Sequence, residues 1–401
     1  MFKKVLSLVL AAVMVLSLGI AFTSCSEGED EFKLGVILLH DEFSTYDLNF
    51  MNGINAAAEA LGLEESQVIY KKGIPESNEC YEAACDLVDE GCDVIFADSF
   101  GHEDFLIKAA EEFPEVQFCH ATGTKAHTKK LDNFHNAFAS IYEGRFLAGV
   151  AAGMKLNELI ANGTIPEGTT PKMGYVGAFT YAEVISGYTS FYLGAKSVCP
   201  DVIMEVQFTG SWYDETAEKT TALALINNGC HLISQHADSM GAPTVCEEKG
   251  IPNVSYNGST VSTCPDTFIV SSRIDWAPYI KYICEQTMNG EAIDVDWTGT
   301  ISTGSVVLTD VNTKAAAAGT VEKIAEVKAK LLDGTLHVFD TDTFTVGGKK
   351  LDSYKADVDT DKDYTADTEV IKDGYFHESE YRSAPYFDLR IDGIKLLNEE
   401  Y

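Results

Sequence analysis

The chain has 401 residues, 45% of them hydrophobic, and a formal net charge of −33 from 62 acidic and 29 basic side chains. That length allows two or three domains with sizeable cores. The charge excludes nucleic acid, whose phosphates need Lys and Arg, and direct electrostatic docking on anionic lipid.

In chain order, the first predicted element is a targeting segment. Lys3 and Lys4 precede an apolar run over 5–22, and no acid occurs before Glu27. Small residues, Thr23 and Ser24, lead directly into Cys25. A charged start, an apolar stretch and small residues make an export signal. A Cys at the cleavage point resembles the bacterial lipoprotein signal, in which that Cys is acylated. Residues 1–24 are therefore read as signal peptide, Cys25 as the lipidation site and 25–32 as a solvated acidic tether; the alternative is an ordinary signal with an incidental Cys. No later apolar run approaches the ~20 residues that span a bilayer. The expectation is a protein held by lipid on the extracytoplasmic face of the cell membrane.

Strands and helices then alternate. Strands are predicted over 34–39, 67–70, 94–97, 116–120 and 134–138, with helices over 49–61, 78–89, 103–112 and 142–159. The last helix contains GRFLAGVAAG, whose small residues allow close helix packing. The Gly- and Pro-broken stretch 162–171 reads as a crossing between lobes. A second series has strands over 172–177, 203–208, 232–235, 253–256, 268–272 and 306–308. Its helices fall over 182–198, 215–227, 243–249, 279–288 and 314–333. Alternation on this scale predicts an α/β fold of parallel sheets with right-handed crossovers. Residues 33–160 with about 258–300 are assigned to one lobe, and 161–257 with about 301–334 to the other. The tail, 335–401, shows period-2 stretches such as 337–346 and reads as β-hairpins or loops packed on one lobe.

One structural unit is written twice. Residues 90–118 read EGCDVIFADSFGHEDFLIKAAEEFPEVQF, and 228–256 read NGCHLISQHADSMGAPTVCEEKGIPNVSY. Gly91 and Gly229, Cys92 and Cys230, Asp98-Ser99 and Asp238-Ser239, and Gly101 and Gly241 correspond. Two copies of one βαβ unit predict two similar lobes facing across a cleft, and a cleft is a ligand site.

Nine cysteines follow Cys25, with no CxxC pair. Several sit on apolar faces, such as Cys80 beside Ala83, Ala84 and Leu87, and are read as buried small hydrophobes rather than disulfides or zinc ligands. The run Asp357, Asp359, Asp361, Asp363 has Lys362 where a calcium loop needs Gly and Thr368 where it needs Glu. An exposed acidic loop is the expectation, and no metal or other cofactor is assigned.

Ligands of open parallel sheets bind beyond the carboxyl ends of the strands. That rule selects Asp41, Ser44 and Tyr46; Asp98, Ser99 and Phe100; Thr180 and Glu183; Ser211, Trp212, Tyr213 and Asp214; His236, Asp238 and Ser239; and Asn257. Aromatic faces for stacking are mixed with carboxylates that accept N–H or O–H donors. A planar, donor-bearing, uncharged or weakly cationic molecule fits, and a purine base has that chemistry. Each aromatic can instead serve packing, and Asp98 and Asp214 can instead cap helices. GxSxG, HExxH and P-loop motifs are absent, so no catalytic residue is assigned.

Several long stretches, in order, resemble the BMP (basic membrane protein) family of substrate-binding lipoproteins of ABC transporters: SFGHEDFLIKAAEEFPEVQFCHATG (99–123), YEGRFLAGVAAG (142–153), YVGAFTYAEVISGYTSFYLGAKSVCPD (175–201), SWYDETAEKTTALALINNGCHLISQHADS (211–239) and DWAPYI (275–280). The resemblance covers roughly 32–340. It implies a type I periplasmic-binding-protein fold, two Rossmann-like lobes joined by a hinge, and a purine nucleoside or base as ligand. It implies a base-stacking role for Tyr46 and site roles for Phe100, Glu183, Trp212, Asp214 and Asp238; Ser99 and Asn257 complete the candidate set. It further implies a separate ABC permease and ATPase as partners and a monomeric receptor. A sugar or other small-metabolite receptor, a nucleoside-processing enzyme and a sensor lipoprotein remain the competing readings.

Overall fold

The computed structural model describes residues 31–358 and 365–400. The expected signal peptide and Cys25 lie outside these residues, as do Asp359, Asp361 and Asp363.

The first half of the chain runs β1 (Leu34–Ile37), α1 (Thr45–Leu61), β2 (Val68–Lys71), α2 (Asn78–Asp89), β3 (Val94–Ala97), α3 (Glu103–Glu112), β4 (Gln117–Ala121), the short α4 (Ala126–Lys129) and β5 (Phe134–Ala139). Strands β1 and β3 are LGVI and VIFA, buried throughout. Strands covered by helices on both faces read as continuous apolar runs rather than alternating ones. Helix α1 begins where the Ser44 hydroxyl accepts the Asp47 amide and ends at Gly62, whose φ of 70° closes the helix in the left-handed region.

The second half runs α5 (Ile141–Ala161), β6 (Lys172–Gly177), α6 (Ala182–Lys196), β7 (Ile203–Phe208), α7 (Glu215–Asn227), β8 (Leu232–His236), α8 (Gly241–Lys249), β9 (Asn253–Tyr256), β10 (Phe268–Ile274), α9 (Ala277–Asn289), β11 (Asp296–Gly299), β12 (Val306–Leu308) and α10 (Thr320–Leu332). The remaining strands are short: β13 (Lys355–Ala356), β14 (Thr368–Glu369), β15 (Ile371–Lys372), β16 (Tyr375–Phe376) and β17 (Ile394–Leu396).

Two large sheets result, ordered β11-β5-β4-β3-β1-β2 and β12-β10-β9-β8-β6-β7-β17. Their pairings are parallel except β10 with β12. The orders are the same pattern twice. The two copies of the repeated sequence supply β3 and β8, which hold equivalent places in their sheets.

Sheet membership corrects the lobe boundaries. Helix α5 was expected in the first lobe, but it packs on α6 and on β10 and β12 of the second sheet. The reason is steric. A Cβ on Gly149 of α5 would clash with the Phe191 carbonyl of α6, and one on Gly194 with the Phe146 carbonyl of α5, so the small residues dock these two helices backbone to backbone. The chain therefore crosses between sheets near Ser140, and 162–171 is a loop leading into β6. The segment 258–300 is also divided: β10 joins the second sheet, whereas α9 packs on α1 and β11 pairs with β5 in the first.

The C-terminal extension touches both lobes rather than one. Strand β17 pairs in parallel with β7 at the edge of the second sheet. The Ser383 amide donates to Asp296 Oδ2 of β11, in the first sheet, at 2.7 Å. Residues 337–346, where the sequence left hairpins or loops open, form turns with isolated bridges, and aromatic pairs such as Phe339 on Phe387, 4.2 Å between centroids, pack there. The nine described cysteines are free, and all but the half-buried Cys85 are buried, as small core hydrophobes should be. Among the described residues no helix is long and apolar enough to cross a membrane, and no acid, His or Cys cluster could hold a metal.

Candidate functional site

The carboxyl ends of the two sheets face one another across a cleft. There a cavity, partly open to solvent, is lined by residues from both lobes, as small-molecule sites between domains commonly are. Six of the eight expected ligand-binding residues line it: Tyr46, Ser99, Phe100, Glu183, Trp212 and Asp238.

From the first lobe, Tyr46 enters from the first turn of α1, and its hydroxyl donates to the Asp98 carbonyl at 2.8 Å. Phe100 sits in the turn after β3 and is 39% exposed. Its ring lies 5.4 Å from that of Tyr181 in the second lobe. Ser99 lines the cavity too, but its hydroxyl is committed to Glu76 at 2.7 Å. Beneath these residues lie two buried acids. Burial pushes Asp98 well above the usual carboxylate range, and the neighbouring Asp47 adds to the rise. Burial also pushes Asp47 up, but hydrogen bonds from His40 and Ser44 outweigh it and hold Asp47 low. Asp98 is therefore the member of the pair that keeps a proton.

From the second lobe comes a chain of rings. Phe179 stacks on Tyr181 at 5.2 Å and meets Trp212 edge-on at 5.0 Å. His236 lies 4.8 Å from Tyr256, and its Nε2 faces Glu183 Oε1 at 3.3 Å. Burial, with Arg145 nearby, lowers the His236 pKa to about 4. The ring is thus neutral at pH 7, and Nε2 donates to Glu183. Asp238 is raised well above its usual range by burial first, then by Glu218, Asp47 and Glu183. A protonated carboxyl offers one donor and one acceptor side by side, the pattern that pairs with a heterocycle edge carrying both N–H and ring nitrogen.

Two expected residues are not on the cavity. Asp214 caps α7, where its Oδ1 accepts the Ala217 amide at 2.9 Å; this is the helix-cap alternative that its sequence position allowed. Asn257 lines a neighbouring groove, and its Nδ2 lies 3.5 Å from Asp238 Oδ1, so it orients that carboxyl from behind.

His236, and four residues that the strand-end reading does not reach, Leu39, His40, Thr122 and Tyr256, also line the cavity. The strand-end rule applied to β4 would have reached Thr122. Tyr256 is the last residue of β9, within the strand rather than after it. Arg145 carried no sequence signal, because it lies inside a helix. Its guanidinium sits 3.3 Å from the Tyr256 ring centroid, and Nη1 donates to the Gln235 carbonyl at 3.0 Å. This buried cation balances the acids of the second lobe.

Comparisons with known proteins agree with this architecture. Residues 39–342 match the Bmp family, described as ABC transporter substrate-binding protein PnrA-like. A purine-binding protein of Brucella abortus is 31% identical over 264 residues, 65% of this chain and 70% of that protein. A putative ABC transporter glucose-binding protein of Haloferax volcanii is 32% identical over 52% of this chain and 49% of its own length. An ABC transporter nucleoside-binding protein of Lactococcus lactis is 28% identical over 42% and 43%. An ABC transporter solute-binding protein of Aeropyrum pernix superposes with a TM-score of 0.65 at 18% identity, over 77% of this chain and 93% of that one, which bears out the expected periplasmic-binding-protein type of fold. The chain belongs to the Bmp family of PnrA-like ABC transporter substrate-binding proteins, binders of small molecules and not enzymes.

Proposed function

We propose that this chain captures a purine base or nucleoside between its lobes and delivers it to an ABC permease. The observation that carries the reading is the convergence of Trp212, Phe100 and Tyr46 with Asp238 and Glu183 on one cavity. Flat rings supply stacking faces, and the two carboxyls supply hydrogen bonds to base edges. Arg145, buried beside the site, stacks on Tyr256 and does not line the cavity, so an anionic ligand meets no Lys or Arg on the cavity wall. The Brucella relative's purine-binding name supports the same reading.

Capture is a hinge closure stabilised by ligand contacts to both lobes. Cys25 anchors the receptor to the outer face of the membrane through lipid, and the receptor works as a monomer. Metabolic labelling with a fatty acid should mark the wild type and not Cys25→Ser.

The test of the ligand is thermal stability against purine bases, nucleosides, pyrimidines and sugars. A ligand at a hundred times its Kd adds about 2.7 kcal/mol. A purine should raise the melting point. A second reading, a sugar receptor, is favoured by the Haloferax relative's name; a rise with glucose and none with any purine would establish it instead.

A further inference from the structure

The C-terminal extension is held on the second lobe at two points, and between them it touches the first lobe. On the way out, the Glu378 carbonyl accepts the Tyr142 hydroxyl of α5 at 3.2 Å. On the way back, the Gly393 carbonyl accepts the Met204 amide of β7 at 2.9 Å, and β17 then pairs along β7. Ser383 lies between these points. Its amide donates to Asp296 Oδ2 of β11, in the first sheet, at 2.7 Å. This whole excursion lies beyond residue 342, where the match to the family ends.

The projecting turn is braced from within. Arg382 donates through Nε to the Ala384 carbonyl at 3.1 Å and through Nη2 to the Pro385 carbonyl at 3.0 Å. A turn tied in this way moves as a body with the lobe that holds its two ends. Its target is fixed as well. Asp296 pairs with Asn136 of β5, its side chain is only 4% exposed, and His127 Nε2 of α4 lies 3.3 Å from the same Oδ2. The turn also borders the cleft. Arg382, Ala384 and Pro385 wall a space between Thr124 of the first lobe and Tyr181 of the second. That space shares Phe100 and Glu183 with the ligand cavity, so the extension stands at the cleft mouth.

We propose that residues 378–393 form a strap of the second lobe that latches on to Asp296 when the cleft shuts and holds the free protein closed. Opening must then break the Ser383–Asp296 bond. An amide donating to a carboxylate is a charge-assisted bond, the stronger kind. Because it joins the two lobes, its free energy goes to the closed state alone, and the open–closed equilibrium shifts by that amount. The strap acts whatever small molecule occupies the cavity, so it stands apart from the purine reading.

The test is small-angle scattering of the protein without ligand, comparing wild type with Asp296→Ala, Ser383→Pro, the double variant and Asp296→Asn. Asp296→Ala removes the acceptor, and Ser383→Pro removes the donor, since proline has no N–H. A hydrogen bond to a charged group shifts an equilibrium by roughly 10-fold or more, so each single variant should show a larger radius of gyration. The double variant should be no more open than either single one, as two halves of one contact require. Asp296→Asn keeps an acceptor oxygen and should scatter closer to wild type than Asp296→Ala does. Scattering identical to wild type in both single variants would overturn the latch, even if their melting temperatures fall, because the bond would then only dock the extension. A double variant that opens by the sum of the two single effects would overturn it as well. Ser383→Pro leaves β11 intact and carries the test alone if Asp296→Ala fails to fold.

Discussion

Thr45 of the first lobe donates both its amide and its hydroxyl to the carbonyl oxygen of Asp238 in the second, at 3.1 and 3.0 Å. One residue's backbone thus ties the lobes together at the point where its side chain faces the ligand cavity. Closure and binding are coupled through Asp238.

Replacing Thr45 by Val removes the hydroxyl bond and keeps the amide bond. One such hydrogen bond is worth about 0.5–1.5 kcal/mol. Ligand affinity should fall about 2- to 10-fold, and small-angle scattering of the free protein should show a larger radius of gyration. Identical scattering and affinity would mean that the bond does not report on closure.

Trp212→Ala should weaken purine binding at least about 10-fold, since stacking a base on an aromatic ring is worth about 1–3 kcal/mol. Trp212 is only half-buried, so the melting temperature without ligand should stay within a few degrees of wild type. Unimpaired binding would remove Trp212 from the site.

Asp238 makes stability depend on pH in a definite direction. Its folded pKa lies well above the ordinary 3.8, so above pH 4 the folded state holds a proton that the unfolded state releases. Its contribution is fully favourable below that pH and declines as pH rises towards the folded value. Asp238→Asn should therefore melt higher than wild type at pH 8 and show no such gain at pH 4. A gain of equal size at both pH values would contradict the buried neutral carboxyl.

His236 works in the opposite direction. Burial lowers its pKa from 6.5 to about 4, so the unfolded state takes up a proton first. This stabilising contribution, up to about 3 kcal/mol at 1.36 kcal/mol per pKa unit, is complete above pH 6.5 and lost as pH falls towards 4. Melting temperature against pH should fall less steeply between 6.5 and 4 in His236→Asn than in wild type.

Gly194→Val should be the most damaging single change outside the cleft. Its Cβ would strike the Phe146 carbonyl, a backbone atom that cannot rotate away, and overpacking typically costs about 1–3 kcal/mol or more. A melting temperature unchanged from wild type would show that α5 and α6 can separate without penalty.

Much of this architecture was legible in the sequence because the signals were local. Strand runs such as VIFA and the Gly-Cys…Asp-Ser repeat mark β3 and β8 directly, and the rule of looking past strand ends reaches seven cavity residues. Asp214 was misplaced because an Asp before a helix caps it as readily as it binds a ligand, and only three-dimensional direction separates the two. Arg145 and Tyr256 escaped because a helix interior and a strand's last residue give no loop signal. The lobe membership of α5 and β10 depends on which helix accepts Gly149, a contact that no local pattern encodes. The extension's place at the cleft mouth was illegible for the same reason.

The second sheet ends with β17, whose Ile394–Leu396 pair with Met204–Val206, and Asn398 holds both the amide and the carbonyl of Phe208 at 2.8 and 3.0 Å. Phe208 and Asn398 are 190 residues apart, so these partners meet only after that whole intervening stretch has emerged. Until then β7 presents a bare edge, the kind of edge along which chains stick to one another. Maturation of the second lobe is thus timed by the arrival of β17. A truncation there would harm yield and solubility well before it touched the ligand cavity.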